Sequence, residues 1–216
     1  MLFSEPITTL TDYAIAVECF WFAARLLPMR QTSVRCWGVA FGLVAIAALL
    51  GGTWHGLAAH ISLLAQTMLW QAMLYALGLS SAALLVGTIV SVVPCRWQGW
   101  AIAAVGLKLA VYLHQVTPGG VFADAVIDYL TALGLVVVLQ CVPQWAIAPG
   151  GSSTAASWML AGVVLSGVAV SLLQTSLAAP LGLTANDVYH LAQMIGLYLF
   201  YRGAQQLKDR EGSWIK

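Results

Sequence analysis

The sequence predicts an all-α integral membrane protein: one bundle of seven transmembrane helices, with the N-terminus outside and the C-terminus in the cytoplasm. Three observations predict it. Hydrophobic residues make up 61% of the 216-residue chain and charged residues only 8%. Soluble domains carry about 25% charged residues, so this chain could not cover a soluble surface. Two stretches, Cys36–Cys95 and Tyr129–Asn186, contain no Asp, Glu, Lys or Arg, and each far exceeds the roughly 20 apolar residues that cross a hydrocarbon core. Both runs are continuous rather than alternating, so helices and not a barrel satisfy the backbone within lipid.

Turn chemistry then separates the elements in order. The first span, about 9–28, closes at Leu27-Pro28-Met29-Arg30. The second, 36–61, closes at His60-Ile61-Ser62, a break without Pro or Gly that is required because 36–93 would otherwise be too long. The third, 66–93, stops at Pro94-Cys95-Arg96, and the fourth, 97–116, at Thr117-Pro118-Gly119-Gly120. The fifth, 121–143, precedes Pro149-Gly150-Gly151, and the sixth, 154–178, precedes Ala179-Pro180. The seventh covers 184–206. No repeat, linker or second domain interrupts 1–216.

Orientation follows from basic residues near the helix ends. Arg25, Arg30 and Arg35 flank the first connection, Arg96 the third, and Arg202, Lys208, Arg210 and Lys216 the tail. The second, fourth and sixth connections carry none. Odd connections therefore lie inside, as expected of a multi-pass protein of the bacterial inner membrane. Trp37, Trp97, Trp100, Trp145 and Trp214 fit an aromatic belt at that inner surface. The early acids Glu5 and Asp12, without early basic residues, argue against a cleaved signal peptide. A net charge of +1 gives no reason to expect nucleic acid as a partner. The four Cys are too few and scattered for a disulfide framework or a zinc ribbon. Membrane lipids, and other membrane subunits, are the expected partners.

Depth sorts the polar residues. Glu18 lies about nine residues past the outer end of helix 1, roughly 14 Å deep at about 1.5 Å per residue. His55 and His60 occupy the outer third of helix 2, Lys108, Tyr112 and His114 the middle to outer part of helix 4. Asp124 and Asp128 open helix 5, and Asn186, Asp187 and His190 open helix 7. All four His of the chain fall in this outer half. Ionisable groups inside a membrane are costly and normally face the bundle interior, so their gathering at one level marks a functional site. Imidazole with carboxylate is also a zinc-binding set. Asp187 and His190 are about 60° apart around helix 7, whereas His55 and His60 are about 140° apart around helix 2. His55 is the better candidate, being deeper and set within Gly52-Thr53-Trp54-His55-Gly56, where small residues admit a neighbouring helix.

Blander roles compete for the same residues. Thr184-x-x-Asp187 is a capping-box pattern. Asp12 and Asp124 read as helix caps, and Lys108 as the partner of Asp128 or Glu18 in a buried ion pair. His60 and His114, near the interface, read as solvated or hydrogen-bonded.

Gly51-Gly52-Thr53-Trp54-His55, the helix-7 run Asn186-Asp187-Val188-Tyr189-His190-Leu191-Ala192-Gln193, Thr11-Asp12-Tyr13 and Asp128-Tyr129 resemble a bacterial seven-helix family. That family is distantly similar to the CREST membrane hydrolases, which include alkaline ceramidases and the progestin and adipoQ receptors. The resemblance implies a metal held between helices 2 and 7 on the N-terminal side. It departs from the CREST pattern at Gly51, at Asn186 and at Gln66 and Thr67, where Ser, His and an acid are usual. Asp187 or Glu18 would then complete the ligand set.

Three expectations follow. The first is a zinc-dependent hydrolase of a lipid amide or ester with a weakened site, in which His55, His190 and Asp187 hold the metal and Glu18 or Asp187 moves the proton. The second is a transporter or receptor built on Glu18, Lys108, Asp128 and the histidines, disfavoured by the apolar inner half. The third is a non-enzymatic subunit of a larger membrane complex, or a haem held between His55 and His190.

Overall fold

The computed structural model describes residues 5–117, 119–147, 154–173 and 184–210. Among them are seven α-helices and no strand. The helices are α1 (Pro6–Leu26), α2 (Thr32–Leu57), α3 (Leu63–Val92), α4 (Cys95–Val116), α5 (Phe122–Ile147), α6 (Thr154–Leu173) and α7 (Ala185–Ala204). Five of them, α2 to α6, are long and apolar enough to cross a membrane. The two exceptions, α1 and α7, carry the acids and the histidine that pair with one another, so their low hydropathy reflects a shared polar seam.

Each boundary has a local cause. Pro6 occupies the first turn of α1, where its missing N–H is harmless. The helix therefore begins earlier than the sequence suggests, and Asp12 lies two turns inside it rather than at its cap. The Pro-free break after α2 is a 3₁₀ turn, Ala58–His60, followed by Ser62, whose Oγ accepts from Ala65 N at 3.3 Å. Asp124 Oδ2 accepts from Val121 N at 2.9 Å at the start of α5. The expected extension of the sixth span to 178, and the breaks at Pro149-Gly150-Gly151 and Ala179-Pro180, lie outside the described residues.

The helices pack as a closed ring. Its neighbouring pairs are α1·α2, α2·α3, α3·α5, α5·α6, α6·α7 and α7·α1. α4 lies outside, packed on α3 and more lightly on α5. Two devices hold it there. Gly78 on α3 accepts the Tyr112 ring so closely that a Cβ would overlap it, and Tyr112 Oη donates to Leu74 O at 2.9 Å. Lys108 on α4 pairs with Asp128 on α5 and donates to Ser81 Oγ on α3 at 3.1 Å.

At the end of the ring away from Pro6 the interior is solid. Phe22 stacks on Tyr201 with centroids 4.4 Å apart and meets Phe41 edge-on at 5.2 Å. Trp37 is only 2% exposed and packs against Phe41 and Phe200. It is core, not belt; Trp97 and Trp100 are the exposed ones, and the side chains of Trp145 and Trp214 lie outside the description.

The segment after α7 closes this end as a strap. Asp209 accepts from Thr32 N at 2.7 Å and Ser33 N at 2.8 Å, capping α2 from 176 residues away. Burial alone would raise the Asp209 carboxyl, but the hydrogen bonds from Ser33 and Thr32 outweigh it and hold it below its ordinary value. Arg210 donates through N to Val90 O at 3.1 Å and through Nη1 to Val92 O at 2.8 Å. It thereby satisfies the last carbonyls of α3, which the helix itself leaves open.

Candidate functional site: a polar-headed cavity at the N-terminal end

At the opposite end, where α1 and α7 begin, the ring encloses a cavity of about 470 Å³ lined by all six of its helices. α4 contributes none of the lining. Much of the lining is apolar, with Ile15, Val44, Leu77 and Leu197 among others. Glu5, Asp12, His55 and His190 are polar members, and Ser166 and Gln193, each with a buried unpartnered oxygen, lie deeper toward Leu197. Such an arrangement, largely apolar with a few convergent polar groups, is the usual character of a small-molecule site.

The polar groups come from the seam between α1 and α7. These two helices run parallel, with residue i of α1 beside about i + 179 of α7. Thr8, Thr11, Asp12 and Ile15 share one face of α1 because they recur at three- and four-residue spacing. Thr8 Oγ1 donates to Asp187 Oδ1 at 2.9 Å. Thr11 Oγ1 is 2.9 Å from His190 Nδ1, and Asp12 Oδ1 is 3.5 Å from His190 Nε2. Thr11 already donates to Thr8 O at 2.9 Å, which leaves its oxygen to accept from His190 Nδ1–H. Nε2 is then the ring's second nitrogen, facing Asp12 across the mouth, and one proton can be shared between them.

Asp12 holds a further signal. It is 6% exposed, and its Oδ2, buried within the cavity wall, has no hydrogen-bond partner. A buried carboxylate oxygen without a donor is expensive to keep. Close packing fixes it there, since a Cβ on Gly52 would lie 2.9 Å from Asp12 Cβ and 2.9 Å from Tyr13 Cε1. The Tyr13 hydroxyl in turn meets Thr53 Oγ1 at 3.2 Å.

The residues expected from the sequence divide. His55 and His190 both line the cavity. His55 Nδ1 is 2.9 Å from Glu5 Oε2 at the mouth, and Trp54 beside it meets Trp70 at 5.0 Å. Asp187 and Glu18 are not among the lining residues. Asp187 is fully buried behind the seam, where it completes the capping box with Thr184 and receives Thr8. Glu18 is half-buried on α1, with Oε2 unpartnered. Lys108 pairs with Asp128 rather than Glu18. His60 and His114 are exposed. Glu5 and Asp12 in the cavity wall, with Thr8 and Thr11 in the seam behind it, were not anticipated. The four-residue repeat on α1 was visible, but nothing in the sequence said that it faces α7.

Residues 7–209 match the family described as "Family of unknown function (DUF6962)". The chain belongs to that family. No curated protein and no solved structure matches it. The matched segment runs from the first turn of α1 to Asp209, so it takes in the seam, the cavity and most of the strap.

The zinc set expected from the resemblance does not fit this DUF6962 chain. Among the described residues, no three His, Cys, Asp or Glu are grouped to hold a metal ion. The physical reason lies in the partners already taken. Asp187 Oδ2 accepts from both N and Oγ1 of Thr184 at 2.7 Å, and Oδ1 from Thr8. His190 Nδ1 is held by Thr11 and His55 Nδ1 by Glu5, which leaves only Nε2 of each ring for a metal. Among the described residues no third donor groups with the two imidazoles, whereas a functional zinc site uses at least three protein ligands.

Proposed function

We propose that this protein is a seven-span bundle of the bacterial cytoplasmic membrane, N-terminus outside, that binds one amphiphilic molecule in the outer cavity. The observation that carries the reading is the cavity itself, about 470 Å³ of largely apolar space whose wall includes the Asp12–His190 pair at 3.5 Å. The apolar tail occupies the space above Leu197 and Val44, and the polar head meets Asp12 and His190. The orientation is supported by the basic residues around the strap end and by their absence from the cavity mouth. α1 and α7 count as spans in this reading because their polar groups pair within the ring. The solid aromatic packing beneath the cavity favours binding over conduction.

Hydrolysis of a lipid amide or ester, in the manner of CREST enzymes, is the second reading. The imidazole–carboxylate pair at the mouth favours it, since a shared proton is what general acid–base chemistry needs. In this reading the proton moves between Asp12 and His190.

Native mass spectrometry of the full chain released from its membrane in mild detergent tests the binding reading. One amphiphile per chain is expected on the wild type. It should be absent from Ala48→Phe, which fills the cavity from the α2 wall. Equal adducts on both proteins would count against the cavity as the binding site.

A further inference from the structure

We infer that the amphiphile carries a protonated primary amine as its head. This rests on the cavity-binding reading above and adds the charge of the ligand to it. Two carboxylates, Glu5 and Asp12, line the cavity, and among the described residues no Lys or Arg does. A phosphate or carboxylate head would bring a second negative charge beside Asp12 with no Lys or Arg to meet it, and His55 is already paired with Glu5. An ammonium has three donors, and the lining is rich in acceptors to meet them. Asp12 Oδ2 is buried and unpartnered, His190 Nε2 is left as the acceptor nitrogen by the Thr11 bond, and Glu5 lies at the rim. An alcohol, with one donor, would leave two of these unmet.

The aromatic lining fits the same charge. Trp54, Trp70 and Tyr189 line the polar end, and an indole or phenol face attracts an ammonium most strongly where water is excluded. Most of the remaining wall is apolar, interrupted by Ser166, Asn186 and Gln193, and suits an apolar chain. The ligand class is therefore a long-chain primary amine with its head toward the outer surface.

Three probes of equal chain length separate the possibilities: dodecylammonium, dodecanol and dodecanoate. Each is titrated against the full chain in phosphatidylcholine nanodiscs, and affinity is read from the concentration dependence of the thermal midpoint. Ala48→Phe, measured alongside, removes the contribution of the bilayer. Dodecylammonium should bind at least about tenfold tighter than dodecanol, a difference of about 1.4 kcal/mol. Dodecanoate should match its behaviour on the blocked variant. Asp12→Asn should retain dodecanol binding while the preference for the amine falls below about threefold. If Asp12→Asn fails to fold, Glu5→Gln at the exposed rim should still weaken the amine and not the alcohol. Equal binding of amine and alcohol, or tighter binding of dodecanoate, overturns the ammonium head and leaves the cavity reading standing. Failure of all three probes to distinguish the wild type from Ala48→Phe overturns both.

Discussion

Replacing Lys108 by Met should destabilise the protein by about 3–5 kcal/mol, the range for removing one partner of a buried ion pair. Asp128 is then left with a 9% exposed side chain and only the Ser81 hydroxyl as donor. α4 lies outside the ring and meets it through this pair, the Tyr112 ring in the Gly78 notch and the Gln71 bond to Val116 O at 3.0 Å, so the loss should fall on α4 docking. The double variant Lys108→Met/Asp128→Leu removes both charges and should recover most of the loss, because an apolar pair of similar volume needs no desolvation. Equilibrium unfolding in mixed micelles measures both. A double variant no more stable than the single would mean that the pair does more than fasten α4. The cavity, to which α4 contributes nothing, should bind its ligand unchanged in the double variant.

Gly52→Leu should have the largest effect on the site. A Cβ there would sit 2.9 Å from both Asp12 Cβ and Tyr13 Cε1, and neither belongs to the free end of a flexible side chain. α1 must move away from α2, which breaks the Tyr13–Thr53 contact and draws Asp12 from His190. Overpacking of this kind costs about 1–3 kcal/mol in stability. Ligand affinity should fall by more than about tenfold, since a site depends on sub-ångström placement of its polar groups. Gly99→Leu on α4, where nothing lies within 4 Å of an added Cβ, is the control and should change stability by less than about 0.5 kcal/mol. Wild-type affinity in Gly52→Leu would show that Asp12 does not contact the ligand.

What was legible in the sequence was the local chemistry. Charge-free runs bounded by Pro, Gly and Ser gave seven helices, because backbone satisfaction in an apolar chain leaves little choice. The capping box Thr184–Asp187 was legible too, since its partners are three residues apart. What was not legible depends on distant partners. Asp209 caps a helix that begins 177 residues earlier, and Arg210 closes α3. No periodicity encodes either bond. The parallel seating of α1 on α7 made Asp12, read as a cap, into the polar centre of the cavity. The same seating gave Asp187 Oδ1 to Thr8. Trp37 was misplaced for a related reason: the side of α2 that faces Phe200 cannot be read from α2 alone.

The central claim is that the space above Leu197 opens to the outer side and holds the ligand. Cysteine accessibility tests it most directly. With the four native cysteines replaced, Ala48→Cys on the cavity wall is exposed in oriented membranes to a small, charged, membrane-impermeant thiol reagent. The account predicts modification from the side of the N-terminus only, slowed by dodecylammonium in proportion to occupancy. Modification from the side of the C-terminal strap, or modification from the N-terminal side at a rate that dodecylammonium leaves unchanged, would contradict it.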